Sequence, residues 1–191
     1  MPQRWTTFFA AVVLVVATAV VGSAQPEPIE ELRARAEQGD AEAQFSLGIN
    51  YEYGLGGVPQ DQAEAVRWIR LAAEQGDHGA QNILGGFYQS GNGVLQNDAE
   101  AVRWWRMAAE QGNLLAYYGL ALQYFNGDGV PQDDVFAHMW ANLAAAGASD
   151  DYFRRNTVAL RDQVANRLTP DQRAEAQRLA RETDERIRNN R

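Results

Sequence analysis

The 191-residue sequence contains no cysteine and no lysine, and it has only two histidines. Without cysteine the chain can form neither a disulfide framework nor a thiolate metal site. Without lysine it lacks the phosphate-loop lysine and the Ser-x-x-Lys motif of serine β-lactamases. The histidines, His78 and His138, stand alone, since neither has a second histidine or a glutamate at zinc-protease spacing. We therefore expect no catalytic residue, no cofactor and no metal site, and hence no enzyme.

Positive charge is scarce and is carried by arginine alone. The chain has 17 arginines against 25 acidic residues, which gives a formal net charge of -8 at pH 7. Residues 25–149 contain 17 acidic and 6 basic side chains, whereas residues 150–191 contain 8 and 10. Because an acidic surface repels phosphate, we expect no nucleic-acid partner.

Long apolar runs are absent except at the N-terminus. There Arg4 precedes an apolar stretch from Phe8 to Val21, which closes on three small residues ending at Ala24. This pattern predicts a signal peptide over residues 1–24 and therefore a periplasmic or secreted protein. The stretch also approaches the roughly 20 residues that span a bilayer, so an uncleaved inner-membrane anchor is the alternative. We expect membrane contact only through this segment.

A five-residue phrase occurs three times at a nearly constant spacing. Residues 36–40 read Ala-Glu-Gln-Gly-Asp, residues 73–77 repeat the phrase, and residues 109–113 repeat it with Asn in the last position. The spacings are 37 (73 minus 36) and 36 (109 minus 73) residues, which is typical of helix-hairpin repeats. The sequence therefore predicts an all-α solenoid of tandem antiparallel helix hairpins.

The repeat spacing also predicts how the chain is divided. The predicted segments are an extended spacer at 25–28, a leading half-repeat helix at 29–39, repeats at 40–75, 76–111 and 112–147, and C-terminal capping helices with a frayed tail at 148–191. In the last of these, Thr169, Pro170 and Gln172 have the order of an N-cap, a first-turn proline and a capping box.

Within each unit, apolar or small residues recur four positions apart and so share one helix face. A glycine beside the leucine in the first two units predicts a close helix crossing, and Ala121 replaces it in the third. The predicted structural residues are Leu47, Gly48 and Tyr51, then Leu84, Gly85 and Tyr88, then Leu120 and Tyr124, with Trp68, Trp104 and Trp140 in the second helices.

These motifs resemble the Sel-one-like repeats, which are relatives of the tetratricopeptide repeats. The shared pattern is Ala-x-x-x-Leu-Gly-x-x-Tyr, then Gly-x-Gly-Val-Pro-Gln-Asp, then Ala-x-x-Trp and Ala-Ala-Glu-Gln-Gly, and it covers about residues 36–147. The resemblance implies a right-handed superhelix whose function lies in protein contacts along its inner surface. Exported relatives described as β-lactamase-like or penicillin-binding carry paired cysteines in each repeat, and this chain has none.

The outward face of the first helix in each unit is the predicted partner-binding groove. Hydrophobic side chains on a helix face that would otherwise contact water indicate a binding partner. Packing against the adjoining hairpin explains them equally well. The candidate groove residues are Phe45, Ile49 and Glu52 in the first unit, Asn82 and Gln89 in the second, and Tyr118, Leu122 and Phe125 in the third.

Three functions remain open at this point. The leading hypothesis is an exported scaffold that binds a protein or peptide segment in the bacterial cell envelope, through a groove too short to wrap a domain. The second is a factor associated with peptidoglycan or exopolysaccharide, which would use Tyr117, Tyr118 and Trp105. The third and least favoured is a β-lactamase-like or cell-wall hydrolase activity.

Overall fold

The computed structural model describes residues 27–190, so the predicted signal peptide and the first part of the spacer lie outside the described residues. Between residues 27 and 190 the chain forms nine α-helices and no β-strand. The helices are α1 (Ile29–Glu37), α2 (Ala41–Tyr53), α3 (Gln62–Glu74), α4 (His78–Ser90), α5 (Asp98–Glu110), α6 (Leu114–Asn126), α7 (Asp134–Gly147), α8 (Asp151–Ala165) and α9 (Pro170–Asn189). In this part of the chain, no helix has both the length and the apolar character needed to cross a bilayer.

The helices pair as three hairpins, α2 with α3, α4 with α5 and α6 with α7. The hairpins stack because α3 also packs against α4, and α5 against α6. One layer therefore consists of the first helices α2, α4 and α6, and the other consists of the second helices. The predicted all-α repeat solenoid is confirmed.

Each first helix is preceded by a left-handed glycine and one capping residue. Gly39, Gly76 and Gly112 have φ values of 93°, 98° and 80°, a region that favours glycine because it has no Cβ. The next residue caps the helix, since its side-chain oxygen accepts a backbone N–H of the first turn. These caps are Asp40, Asp77 and Asn113.

Asp61 and Glu64, at the start of the second helix of the first unit, have the spacing of a reciprocal capping box but do not form one. Asp61 accepts the backbone N–H of Glu64, but the Glu64 carboxylate pairs with Arg67 at 2.9 Å instead of returning to the backbone. The complete reciprocal capping box forms only at α9 among the described helices, between Thr169 and Gln172.

Helix crossings occur at the predicted glycines. A Cβ placed on Gly48 would lie 2.7 Å from the Ile69 side chain, and one on Gly85 would lie 2.6 Å from Trp105 Nε1. Such distances are shorter than any van der Waals contact, so the first and second helices approach closely only because glycine is present. In the third unit Ala121 takes this position and is fully buried.

The C-terminal helices do not form a fourth hairpin. α8 packs against α7, in the place of the next first helix, but α9 also packs chiefly against α7 and not against α8. Ala180 and Ile187 of α9 belong to the same buried cluster as Met139 and Leu143 of α7. The sequence predicts a frayed tail, whereas α9 continues to Asn189 and leaves Ile187 only 4% exposed.

Candidate functional site

The candidate residues of the third unit converge on a half-open pocket between α6 and α8. Its volume is about 300 Å³, and we call it the α6–α8 pocket. Its walls are three large side chains of α6 and the facing turns of α8, with amide groups among the lining residues. The lining consists of Tyr118, Leu122, Phe125, Asn126, Asn156, Ala159, Leu160 and Gln163.

Residues outside the pocket fix the positions of its aromatic side chains. The Tyr118 ring meets the Phe153 ring edge-on, with centroids 5.9 Å apart. The Arg167 guanidinium lies 4.0 Å above the Phe125 ring and also pairs with Asp134 at 3.4 Å. Burial raises the pKa of the Tyr118 hydroxyl above its ordinary value. The pocket thus offers a preformed apolar wall of fixed shape.

Amide groups provide the polar part of the pocket. Asn126 and Gln163 are exposed, while the amide nitrogen of Asn156 donates to the Tyr152 carbonyl at 2.7 Å. Side-chain amides carry both a donor and an acceptor, which suits them to the peptide groups of an extended chain. This chemistry favours a peptide ligand whose apolar side chain enters the pocket and whose backbone forms hydrogen bonds with the amides at the rim.

The first-unit candidates Phe45 and Ile49 pack between hairpins. Both are half-buried against a cluster that includes Ala80 and Leu84 of the second unit. The Phe45 ring lies 3.6 Å from where a Cβ of Gly79 would be. For these two residues, packing against the adjoining hairpin accounts for the hydrophobic side chain, and no partner is needed.

The prediction that Asn82 lies on an accessible groove surface is wrong. Asn82 is 4% exposed, and its backbone carbonyl accepts the Trp105 indole N–H at 3.1 Å. The cause is the indole, which occupies the position held by the smaller Ile69 in the first unit and needs a hydrogen-bond partner when buried. Gln89, at the other end of α4, is half-buried.

The proposed carbohydrate platform is also contradicted. Trp105 is 1% exposed and lies between α4 and α6, where Cβ atoms on Gly85 and Gly119 would collide with its ring. Tyr117 is buried against Trp140, with ring centroids 5.5 Å apart. Of the three residues only Tyr118 retains partial exposure. Rings that stack on sugars must present a face to solvent, and two of these three do not.

Glu52 is the charged member of the predicted groove. Its carboxylate is half-buried at the end of α2 and accepts a hydrogen bond from Asn92 Nδ2, 3.2 Å from Oε1. The same amide donates to Gln62 Oε1 at 2.7 Å, so it links the first two units. Burial raises the pKa of Glu52 to about 7, because desolvation disfavours the charged form more than one hydrogen bond favours it.

Comparison with known families settles the origin of the repeats. The Sel1 repeat profile matches three consecutive segments of the chain, 41–77, 78–113 and 114–149. The chain belongs to the Sel1 repeat family. Sel1 repeat proteins are helical scaffolds that mediate protein–protein interactions. The matched segments start one or two residues later than the predicted repeats.

Two solved structures of Sel1 repeat proteins are similar to this chain. A Sel1 repeat protein from Oxalobacter formigenes is 36% identical, with a TM-score of 0.59 over 68% of this chain and 96% of that one. A protective antigen of uropathogenic Escherichia coli with an SLR fold is 27% identical, with a TM-score of 0.62. That match covers 91% of this chain but only 44% of the antigen. No curated protein matches the chain.

Three arginines that join successive Sel1 repeats were not singled out from the sequence. Each lies on the helix preceding a first helix and donates to the hydroxyl of that helix's repeat tyrosine, 18 residues later. The pairs are Arg33 with Tyr51 at 3.1 Å, Arg70 with Tyr88 at 3.1 Å, and Arg106 with Tyr124 at 2.7 Å. The constant spacing of 18 residues is a sequence signal that would have revealed them.

Neither histidine of this Sel1 repeat protein has catalytic surroundings. His138 is buried in α7, and its pKa is lowered by burial and by the positive charges of Arg161 and Arg173, so the ring is neutral at pH 7. His78 is exposed, with its Nδ1 3.1 Å from the Asn113 amide nitrogen. Within residues 27–190 no group of three or more metal-ligating side chains comes together.

Proposed function

We propose that this Sel1 repeat protein is an exported scaffold that holds a peptide segment of another protein on its first-helix layer. The observation that supports the proposal is the α6–α8 pocket, where three of the predicted groove residues meet exposed amides. Its volume of about 300 Å³ suits one or two apolar side chains and not a folded domain. A further support is that members of the family act through protein contacts.

Photo-crosslinking tests this proposal. The chain has no lysine, so amine-reactive reagents have little to attack, and a genetically encoded benzophenone side chain is the suitable probe. We would place it at Leu122, Asn156 or Gln163 for the pocket, and at Arg103, exposed on α5, as the control. The proposal expects a reproducible protein adduct from the pocket positions only. Adducts from Arg103 with none from the pocket would contradict it.

Export is the second part of the proposal, with the periplasm or the medium as the destination and an inner-membrane anchor as the alternative. Its support is the N-terminal sequence, in which an apolar stretch ends in small residues at Ala24. Cell fractionation followed by N-terminal sequencing decides between the two. A mature chain that begins at Gln25 supports cleavage, and an intact N-terminus in the membrane fraction supports the anchor.

The proposal includes no catalytic activity. Its support is the isolation of both histidines and the absence of cysteine and lysine from the sequence. Purified protein should leave both nitrocefin and peptidoglycan unchanged. Turnover of either substrate above a heat-denatured control would contradict this part of the proposal.

A further inference from the structure

Positive charge is confined to one layer of the repeats. The second helices and α1 carry all six arginines found between residues 27 and 149, which are Arg33, Arg35, Arg67, Arg70, Arg103 and Arg106. The first helices α2, α4 and α6 contain no arginine, and their acidic residues are Glu42 and Glu52. The first-helix layer of the three units is therefore negatively charged without any cation of its own.

Within that layer Glu52 differs from the other acidic residue, because Glu42 is exposed whereas Glu52 is half-buried. In the second-helix layer, Glu64 and Glu100 each pair with an arginine three residues later. The carboxylate of Glu52 has no ion pair among residues 27–190, and the hydrogen bond that it receives comes from the neutral amide of Asn92. A half-buried carboxylate with no cation nearby gains more from an incoming ammonium or guanidinium than an exposed one does.

Glu52 and the α6–α8 pocket lie at matching positions of the repeat. Glu52 is the twelfth residue of α2, and Phe125, which lines the pocket, is the twelfth residue of α6. The two helices are two steps apart in the stack, and at the spacing of about 8–10 Å that is typical of packed helices, the separation is up to about 20 Å. An extended chain advances about 3.3 Å per residue and spans this distance in about six residues.

We propose that the groove selects an extended segment in which a lysine or arginine binds at Glu52 and an apolar residue, about six positions away, enters the α6–α8 pocket. This inference rests on the proposed function, because it specifies the partner of the same surface. The cation supplies the charge that the first-helix layer lacks, and the apolar side chain covers Leu122 and Phe125. A segment that presents only one of the two anchors binds more weakly than one that presents both.

The test uses fluorescein-labelled peptide pools of about twelve residues, measured by fluorescence anisotropy with the purified mature protein. Each pool fixes one arginine and one leucine at a defined separation and randomises the other positions among uncharged residues. Matched pools replace arginine by citrulline, which has the same shape and no charge, or replace leucine by serine. We expect the tightest binding at a separation of about six residues, with both replacements weakening it at least about fivefold.

Glu52→Gln tests the assigned carboxylate. It should weaken binding of the arginine pool about tenfold, since a hydrogen bond to a charged group is lost, and leave the citrulline pool unaffected. Glu74→Gln, which makes the same charge change at an exposed position of α3, should bind as the unmodified protein does. Circular dichroism of both variants verifies that they are folded.

The outcomes separate this inference from the proposed function. Leucine-dependent binding that is indifferent to citrulline and to Glu52→Gln would overturn the inference and leave the peptide-binding proposal standing. Binding of no pool above a glycine–serine control pool would overturn both. Loss of arginine-dependent binding in Glu52→Gln, with Glu74→Gln unaffected, supports both the inference and the proposed function.

Discussion

At the scale of single residues, close approach between helices decides which side chains are tolerated. Trp105 is enclosed by two glycines, because Cβ atoms on Gly85 and Gly119 would lie 2.6 Å and 2.9 Å from its ring atoms. Its indole N–H is satisfied by the Asn82 carbonyl at 3.1 Å. These four residues act as one unit. The large indole fits between the helices because neither glycine has a side chain.

Gly85→Ala should destabilise the protein. Alanine is the better helix former by about 1 kcal/mol, but the added methyl group collides with a rigid, buried indole, and overpacking costs about 1–3 kcal/mol net. Gly79→Ala on the same helix is the control, since its nearest neighbours are Asp77 Oδ1 at 3.1 Å and the Phe45 ring at 3.6 Å. Urea denaturation measures both variants. Equal effects would contradict the assigned crossing.

Glu52→Gln should stabilise the protein at alkaline pH and not at acidic pH. The folded carboxyl has a pKa of about 7 against an ordinary value of 4.5, so the folded chain binds more protons than the unfolded chain between these values. Stability contributed by this group is therefore lost as pH rises from about 4.5 to about 7.

The glutamine cannot ionise, so the variant is more stable than the unmodified protein only at pH values at which Glu52 is charged. Because the side chain is only partly buried, we expect no more than about 1 kcal/mol at pH 8. Urea denaturation at pH 5 and pH 8 gives the comparison. A stability difference that stays constant between the two pH values would contradict the raised pKa.

At the scale of elements, the last helix shows how the stack ends. α9 lies against α7 through Ala180 and Ile187, with the Thr183 hydroxyl 3.9 Å from Met139 Sδ. It therefore covers apolar surface of the last complete hairpin. α8 buries Phe153 and Leu160 against the third unit and exposes mainly polar residues elsewhere.

Ile187→Ala should lower stability by about 2 kcal/mol, since it removes three buried methyl or methylene groups from the contact with α7. Arg186→Ala, at the neighbouring exposed position, should change stability by less than about 0.5 kcal/mol. Thermal denaturation followed by circular dichroism measures both. Identical melting temperatures for the two variants would mean that the end of α9 is not docked.

At the scale of the whole molecule, each unit is held mainly by its neighbours in the chain. The arginine–tyrosine pairs join each first helix to the helix before it. The loops add a second connection, because Gly93 lies against the Gln62 carbonyl and Gly129 against Asp98, so closely that a Cβ on either glycine would collide with backbone. In such a linear stack, terminal elements have neighbours on one side only.

Hydrogen exchange should therefore be graded along the chain. α1 packs against α2 and buries only Leu32 and Ala36, so its amides should exchange faster than those of α4 to α7. Exchange followed by mass spectrometry on the purified protein resolves these segments. Uniform protection from α1 to α7 would show instead that the solenoid opens as one cooperative unit.

The sequence alone determined the repeats, their helices and most of their caps, because these depend on short-range order. The period of the Ala-Glu-Gln-Gly phrase, the left-handed glycines and the Thr169 capping box all act within a few residues. The glycine crossings were also predictable, since Gly48 and Gly85 recur at the same position of two repeats.

The tertiary structure alone decided which outward residues are available to a partner. A pattern on α4 shows that Asn82 faces away from the repeat's own leucine, but not that Trp105 from the next helix covers it. Likewise, the sequence predicts α9 as a capping helix, and only the packed chain shows that it covers α7. Long-range burial depends on the sizes and positions of side chains from several helices at once, whereas periodicity describes one helix at a time.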